Sequence, residues 1–218
     1  MSHIVCGILT DGRAELFEQT VKSARENLYG VDFWFVVNDS GDPNYHIWAK
    51  RLAPDMHHVN HPVRRGLAGA VQSVWDQALG TDCDYLFHLE GDFTILTPID
   101  VGELACLLGS HPHLAQLVLQ RQALSPAEVE AGGVAAHAHW VEAPGFVQQT
   151  DIFSLNPCLI PRHVLEYGWP EGPLGVGNET GMTNRLREDG YWFAFYGTKT
   201  SSPQVEHTGS YRSDGWKL

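Results

Sequence analysis

An α/β fold with a mostly parallel central sheet and helices on both faces, Rossmann-like in arrangement, is predicted by three observations. Short apolar runs alternate with segments whose apolar residues recur at helical spacing through the first half of the chain. With 218 residues, 43% hydrophobic and 18% charged, the chain is large and apolar enough to bury a proper core. No internal repeat, low-complexity segment or linker divides it. A single domain over 1–218 follows, with 1–120 as one half and 121–218 as a smaller, irregular half.

The elements can be taken in order. His3 to Leu9 is a strand of buried type, followed by a helix from Glu15 to Leu28 with Leu16, Val21, Ala24 and Leu28 on its apolar stripe. Asp32 to Val37 is a second buried strand, closed by the dense turn signal Asn38 to Pro43. Tyr45 to Leu52 reads as a short helix and Met56 to Asn60 as a short strand. Gly66 to Leu79 is helical, with Leu67, Ala70, Val71, Val74, Trp75 and Ala78 on one face. Asp84 to Leu89 is the next strand, Asp100 to Leu108 a helix and Leu114 to Leu119 a strand. Ser125-Pro126-Ala127-Glu128 carries an N-cap, a first-position proline and an acidic first turn. Beyond it the pattern loosens: an extended piece at His139 to Val141, a helix from about Thr180 to Glu188, a strand at Trp192 to Tyr196, then a polar tail.

Composition narrows the function classes. Fourteen Lys and Arg against 26 Asp and Glu give a formal charge of −12, which repels a phosphate backbone and weighs against nucleic acid as a partner. Cys6, Cys83, Cys106 and Cys158 form no Cys-x-x-Cys pair, which argues against structural zinc and a disulfide scaffold. Cys6 and Cys106 lie in apolar runs and read as buried thiols. The apolar runs are too short to span a bilayer, and Ile4 to Leu9 is too short for a signal-peptide core, so a cytoplasmic protein is expected.

The stretch Tyr85 to Phe93 holds the sharpest chemical signal. An apolar strand runs into Glu90-Gly91-Asp92, placing carboxylates at the carboxyl edge of the sheet, where open α/β sheets bind ligands. Such oxygens suit Mg²⁺ or Mn²⁺, usually one or two of them together with substrate phosphates. Gly91 lets the backbone come close to a bulky ligand. A metal–diphosphate site is one reading of this stretch, and a strand-end turn with solvated acids is the other. His88, between Phe87 and Leu89, reads as a hydrogen-bonded core or sheet-face residue.

Five further segments line up with this one. Thr10-Asp11-Gly12-Arg13 ends the first strand and Asn38-Asp39-Ser40-Gly41 the second. Arg64-Arg65-Gly66-Leu67-Ala68-Gly69-Ala70 opens the helix before the Glu-Gly-Asp strand. Gly177-Asn178-Glu179-Thr180 opens a late helix, and Val205-Glu206-His207-Thr208-Gly209 lies in the tail. In this order they resemble the Thr-x-Asn-Arg loop, the Asp-Asp-Gly-Ser turn, the Asn-x-Gly-x-x-x-Ala helix start, the Asp-x-Asp motif, the catalytic-acid segment and the late histidine of family-2 glycosyltransferases. The resemblance spans nearly the whole chain and implies a GT-A fold. It implies an enzyme that moves a sugar from a nucleotide-sugar donor, UDP-sugar foremost, to an acceptor hydroxyl with a divalent metal, Mn²⁺ or Mg²⁺. The irregular 121–218 half becomes the acceptor side, and the acceptor is a glycan, a small molecule, a protein or a modified nucleobase.

The residues carry physical readings of their own. Thr10 and Asp11 contact base or ribose, or else cap the first helix. Asp39 accepts from a base N–H, or caps its own turn. Arg65 and Gly66 offer a cationic helix start to an anion, or are a solvated pair and a helix entry. Arg13, Glu90, Gly91 and Asp92 complete the nucleotide-binding set that the resemblance implies. Asp92 and His207 become metal ligands, while Glu90, a methylene longer than the family's aspartate, meets the ribose or a metal-bound water. Glu179 is the candidate general base of an inverting transfer, or a first-turn acid on its helix. Trp140 and Trp169 are candidates for stacking on sugar rings, or are core. Gly172 to Gly177 is a candidate loop over bound donor. Two other functions compete. A sugar nucleotidyltransferase needs a Gly-rich phosphate loop after the first strand, for which Thr10 to Arg13 is too short. A non-catalytic binding module would leave Glu179 remote from Asp92.

Overall fold

The computed structural model describes residues 2–123, 138–170 and 177–209. Its elements are β1 (Ile4–Thr10), α1 (Ala14–Asn27), β2 (Leu28–Tyr29), β3 (Phe33–Asn38), α2 (Pro43–Leu52), β4 (His57–Asn60), α3 (Gly66–Leu79), β5 (Tyr85–Glu90), β6 (Phe93–Ile95), β7 (Ile99–Asp100), α4 (Val101–Gly109) and β8 (Leu114–Val118). They continue with β9 (Val141–Ala143), β10 (Phe146–Gln149), β11 (Cys158–Pro161), α5 (Arg162–Leu165), α6 (Gly177–Glu188), β12 (Trp192–Tyr196) and β13 (Val205–His207). The segment at Ser125 to Glu128 and most of the Gly172 to Gly177 loop lie outside the described residues. Among the described residues no helix is long and apolar enough to cross a membrane.

Nine strands form one sheet in the order β4-β3-β1-β5-β11-β8-β12-β10-β9. The first four pair in parallel, as alternation with helices predicts. From β5 onward the expectation of parallel pairing gives way. Strand β11 slots between β5 and β8, antiparallel to both, and β10 runs antiparallel to β12 and β9. β8 and β12 pair in parallel.

Strand alternation sorts the core into two faces. Ile4, Cys6 and Ile8 of β1 pack with Phe17, Val21 and Ala24 of α1, together with α2 and α4. Val5 and Leu9 point the other way, against Val71, Val74 and Trp75 of α3 and Met182 and Leu186 of α6. Each fully buried side chain of this size is worth about 1.5–3 kcal/mol. Both faces of the parallel half are therefore anchored, and its carboxyl edge is a firm platform.

Two buried-residue expectations need correction. Cys106 is exposed, because Val101, Leu104, Ala105 and Leu108 turn the apolar face of α4 inward and leave position 106 outside. His88 is fully buried as expected, yet neither ring nitrogen has a hydrogen-bond partner, and burial pushes its pKa down to about 4. Its strand neighbours are Gly7 on β1 and Cys158 on β11.

Candidate functional site

Strands β1, β3 and β5 end together, with Thr10 opposite Asn38 and Leu9 opposite Glu90. At this edge Gly91 turns the chain, and its N–H donates to Leu9 O at 2.7 Å. A Cβ at position 91 would sit 3.0 Å from that same oxygen and 3.3 Å from Thr10. The neighbouring strand alone therefore leaves position 91 no room for a side chain.

Asp92 follows, nearly buried at 6% exposure. Its Oδ2 accepts from His207 Nε2 at 3.2 Å and from Arg13 Nη2 at 2.9 Å, while its buried Oδ1 has no partner. Burial raises its pKa, but the hydrogen bond from His207 and the Arg13 charge outweigh that and hold it below the usual range. Asp92 and His207, 115 residues apart, therefore meet in space.

His207 is delivered by β13, which pairs antiparallel with β6 so that His207 lies opposite Phe93. Gln122 brackets its backbone, accepting from His207 N at 2.9 Å and donating to His207 O at 3.0 Å. The Phe93 ring supports the imidazole at 4.8 Å between centroids. Thr208 donates from both backbone and hydroxyl to Asp92 O, at 2.8 and 2.9 Å. A side chain at Gly209 would strike the Asp92 carboxylate and the Arg13 guanidinium. Sequence reading missed Gln122, Phe93 and Thr208.

Glu90 stands at the tip of β5 with its side chain half-buried. Burial, then the charges of Asp92 and Glu179, push its pKa well up. Glu179, in the first turn of α6, accepts from Leu155 N at 2.8 Å. Burial raises its pKa too, against that hydrogen bond. Glu90 thus feels the charges of both other acids.

In the first loops the helix-cap alternative for Thr10 and Asp11 is not what forms. Arg13 itself occupies the N-cap of α1 with no side-chain cap bond, so neither Thr10 nor Asp11 caps the helix. The Thr10 hydroxyl shares a 2.5 Å hydrogen bond with the Tyr45 hydroxyl, and Asp11 Oδ1 accepts from Arg13 Nε at 2.8 Å. Asp39 is 4% exposed and already accepts three hydrogen bonds: from Arg65 N at 2.8 Å, Gly66 N at 3.0 Å and His61 Nδ1 at 2.8 Å. The anion at the start of α3 is supplied from within the chain. Gly66 has φ +72°, a conformation that favours glycine, which is why the helix can begin there. His61 had no sequence signal.

The aromatic candidates separate. Trp169 is buried, edge-on to Trp75 at 5.4 Å, and belongs to the core. Trp140 is half-buried against Phe195 at 4.9 Å. A cavity of about 760 Å³ at the opposite edge, lined by Tyr85, Cys106 and Arg162, includes none of these site residues.

No family model matches the chain, and no curated protein matches it. Solved structures do. The mannosyltransferase PcManGT from Pyrobaculum calidifontis, in complex with GDP-Man and Mn²⁺, superposes with a TM-score of 0.65 at 18% identity, over 97% of this chain and 58% of that one. TarS 1–349 from S. aureus, in complex with UDP, superposes with a TM-score of 0.61 at 10% identity, over 94% of this chain and 60% of that one. The chain therefore has a glycosyltransferase fold, and it spans about three fifths of the length of these structures.

Proposed function

We propose that this chain is a metal-dependent glycosyltransferase that moves a sugar from a nucleotide-diphosphate sugar, a UDP-sugar foremost, to an acceptor hydroxyl with inversion. One observation carries the reading: Asp92 and His207 converge at 3.2 Å, two residues from Glu90, which feels the charge of Glu179. That the structures with this fold were captured with GDP-Man and Mn²⁺ or with UDP supports a nucleotide-sugar donor and a divalent ion.

The residues present fit such an ion. Asp92 Oδ1 is a buried oxygen without a partner, and a carboxylate with an imidazole suits Mn²⁺. Among the described residues no group of three or more His, Cys, Asp or Glu is arranged to hold a metal. Asp92 and His207 would thus leave the remaining positions to phosphate oxygens and water. A bound divalent cation supplies positive charge that steadies the diphosphate as it departs.

Arg13 holds a second positive charge beside Asp92, on the same loop as Asp11 and next to Thr10. Asp39, Arg65 and Gly66 fix the neighbouring loop, and Gly91 sets the position of Glu90 beneath it. Glu179 takes the proton of the acceptor hydroxyl as the new bond forms at the anomeric carbon and the bond to the diphosphate breaks. Its raised pKa improves it as a base near neutral pH. The direct passage from Arg13 into α1 speaks against a nucleotidyltransferase.

The test is donor hydrolysis. Purified protein with Mn²⁺ and a panel of nucleotide sugars should release free nucleotide slowly, and Asp92→Ala should abolish it. No release, with no metal-dependent nucleotide binding, would overturn the proposal.

A further inference from the structure

Between β10 and β11 the chain leaves the sheet, and side chains take over its hydrogen bonds. Every backbone N–H from Asp151 to Asn156 donates to a side-chain oxygen. Asp151 and Ile152 donate to Gln149 Oε1, Phe153 to the Thr183 hydroxyl and Ser154 to Gln116 Oε1. Leu155 donates to Glu179 Oε1 and Asn156 to the Ser154 hydroxyl. The acceptors for Phe153, Ser154 and Leu155 come from other elements, with Thr183 and Glu179 on α6 and Gln116 on β8.

Two of these acceptors are buried amides, in places that apolar side chains would fill at lower cost. Gln116 and Gln149 are fully buried and flank Phe193 of β12 in one row across the sheet. An amide so placed costs stability unless its polar atoms are met. Gln116 meets them on Ser154: Nε2 donates to Ser154 O at 3.1 Å, and Oε1 accepts from Ser154 N at 3.2 Å. Thr183, also buried, joins the same segment to α6. Its hydroxyl donates to Glu179 O at 2.7 Å and accepts from Phe153 N at 2.8 Å. A backbone gripped at two adjacent residues has little freedom at the third, because each residue turns on only two soft dihedrals. The third is Leu155, whose N–H donates to Glu179 Oε1 at 2.8 Å and leaves Oε2 for an incoming proton.

We infer that Thr183 and Gln116 are positioning residues for Glu179: together they hold the 153–155 backbone so that the Leu155 N–H points at Oε1 and the carboxylate keeps one orientation. The consequence for turnover rests on the reading of Glu179 as the base. Burial raises the pKa of this carboxyl and the Leu155 hydrogen bond opposes the rise, so a loosened clamp raises it further. Glu90 on β5 and Cys158 on β11 are the titratable groups that feel its charge.

The experiment is NMR titration of the full chain, with ¹³C at glutamate carboxyls and ¹⁵N at leucine, in wild type, Thr183→Val, Thr183→Ser and Gln116→Met. In wild type the Leu155 amide should move with the midpoint of the Glu179 carboxyl. Thr183→Val and Gln116→Met should raise that midpoint and uncouple Leu155 from it, while Thr183→Ser, which keeps the hydroxyl, should preserve both. UDP release from a UDP-sugar with Mn²⁺ should follow. Its acid limb moves to higher pH, so the rate on the limb falls about tenfold while the alkaline plateau falls far less. A purely structural role would lower Tm in the variants without moving the midpoint, and that result would overturn the assignment. So would a wild-type Leu155 amide that ignores the Glu179 titration, a readout that needs no variant to fold. A midpoint that moves as expected while the acid limb stays put would uphold the clamp and sink Glu179 as the base.

Discussion

The loop around Asp39 and the loop around Asp92 are two buried aspartates at one sheet edge, a strand apart, under opposite conditions. Asp39 accepts from two backbone amides and an imidazole. Asp92 keeps one buried oxygen without a partner and the other pinned by a guanidinium and an imidazole. A satisfied buried carboxylate rigidifies what surrounds it, whereas a half-satisfied one costs stability until a ligand completes it. The first loop is internally satisfied, and the second keeps one acceptor open.

The largest effect that could break this contrast lies in turnover. Glu179→Gln should lower kcat by about 10²–10⁴ while nucleotide affinity stays within about twofold, since the base acts on the acceptor and not on the donor. In wild type the acid limb of the rate profile should fall above the ordinary carboxylate range, because burial raises the pKa of Glu179 and only its ionised form removes a proton. Activity then rises with pH through that limb, and the variant should lack it. An unchanged limb in Glu179→Gln would move the base elsewhere.

His207→Ala should come next, weakening Mn²⁺ binding by more than about a hundredfold, beyond the roughly 10–100-fold that loss of a mere supporting contact costs. A metal titration followed by nucleotide release measures it. Asp39→Ala should cost about 3 kcal/mol in urea unfolding, because three buried donors at about 1 kcal/mol each lose their acceptor. Asp92→Ala should cost far less. If the two costs came out reversed, the assignment of scaffold and site would be wrong.

Glu90→Gln should give the smallest effect and the opposite sign. The folded protein raises the pKa of Glu90, so its ionisation at neutral pH works against the fold, and that penalty is absent once the acid is protonated. Replacing it should stabilise the protein at pH 7 by about 1 kcal/mol, a rise in Tm of roughly 2–4 °C for a chain of this size. The gain should vanish as pH falls to about 4, the ordinary range of a glutamate.

The parallel half was legible because its signals are local. Apolar runs and helical stripes fall where β1, α1, β3, α3 and β5 lie, and the acids at the tip of β5 announce themselves by following an apolar strand. What escaped is set by tertiary contacts. β11 is four residues long and ends at a proline, so nothing local shows that it slots between β5 and β8. His61 and Gln122 have meaning only through Asp39 and His207, partners 22 and 85 residues away. The commitment of Thr10 to Tyr45 could not be read from Thr10 and its neighbours, since a hydroxyl's partner depends on how α2 packs.

The two-strand ribbon of β6 and β13 works as a ruler for the edge of the molecule. With Val205 opposite Ile95 and His207 opposite Phe93, Glu206 is turned to the other side. Dropping or adding one residue between Gly197 and Gln204 would shift the ruler by a notch and could present Glu206 in place of the ring. A second anion would then stand against Asp92 where a nitrogen donor belongs. The length of that connection is therefore fixed.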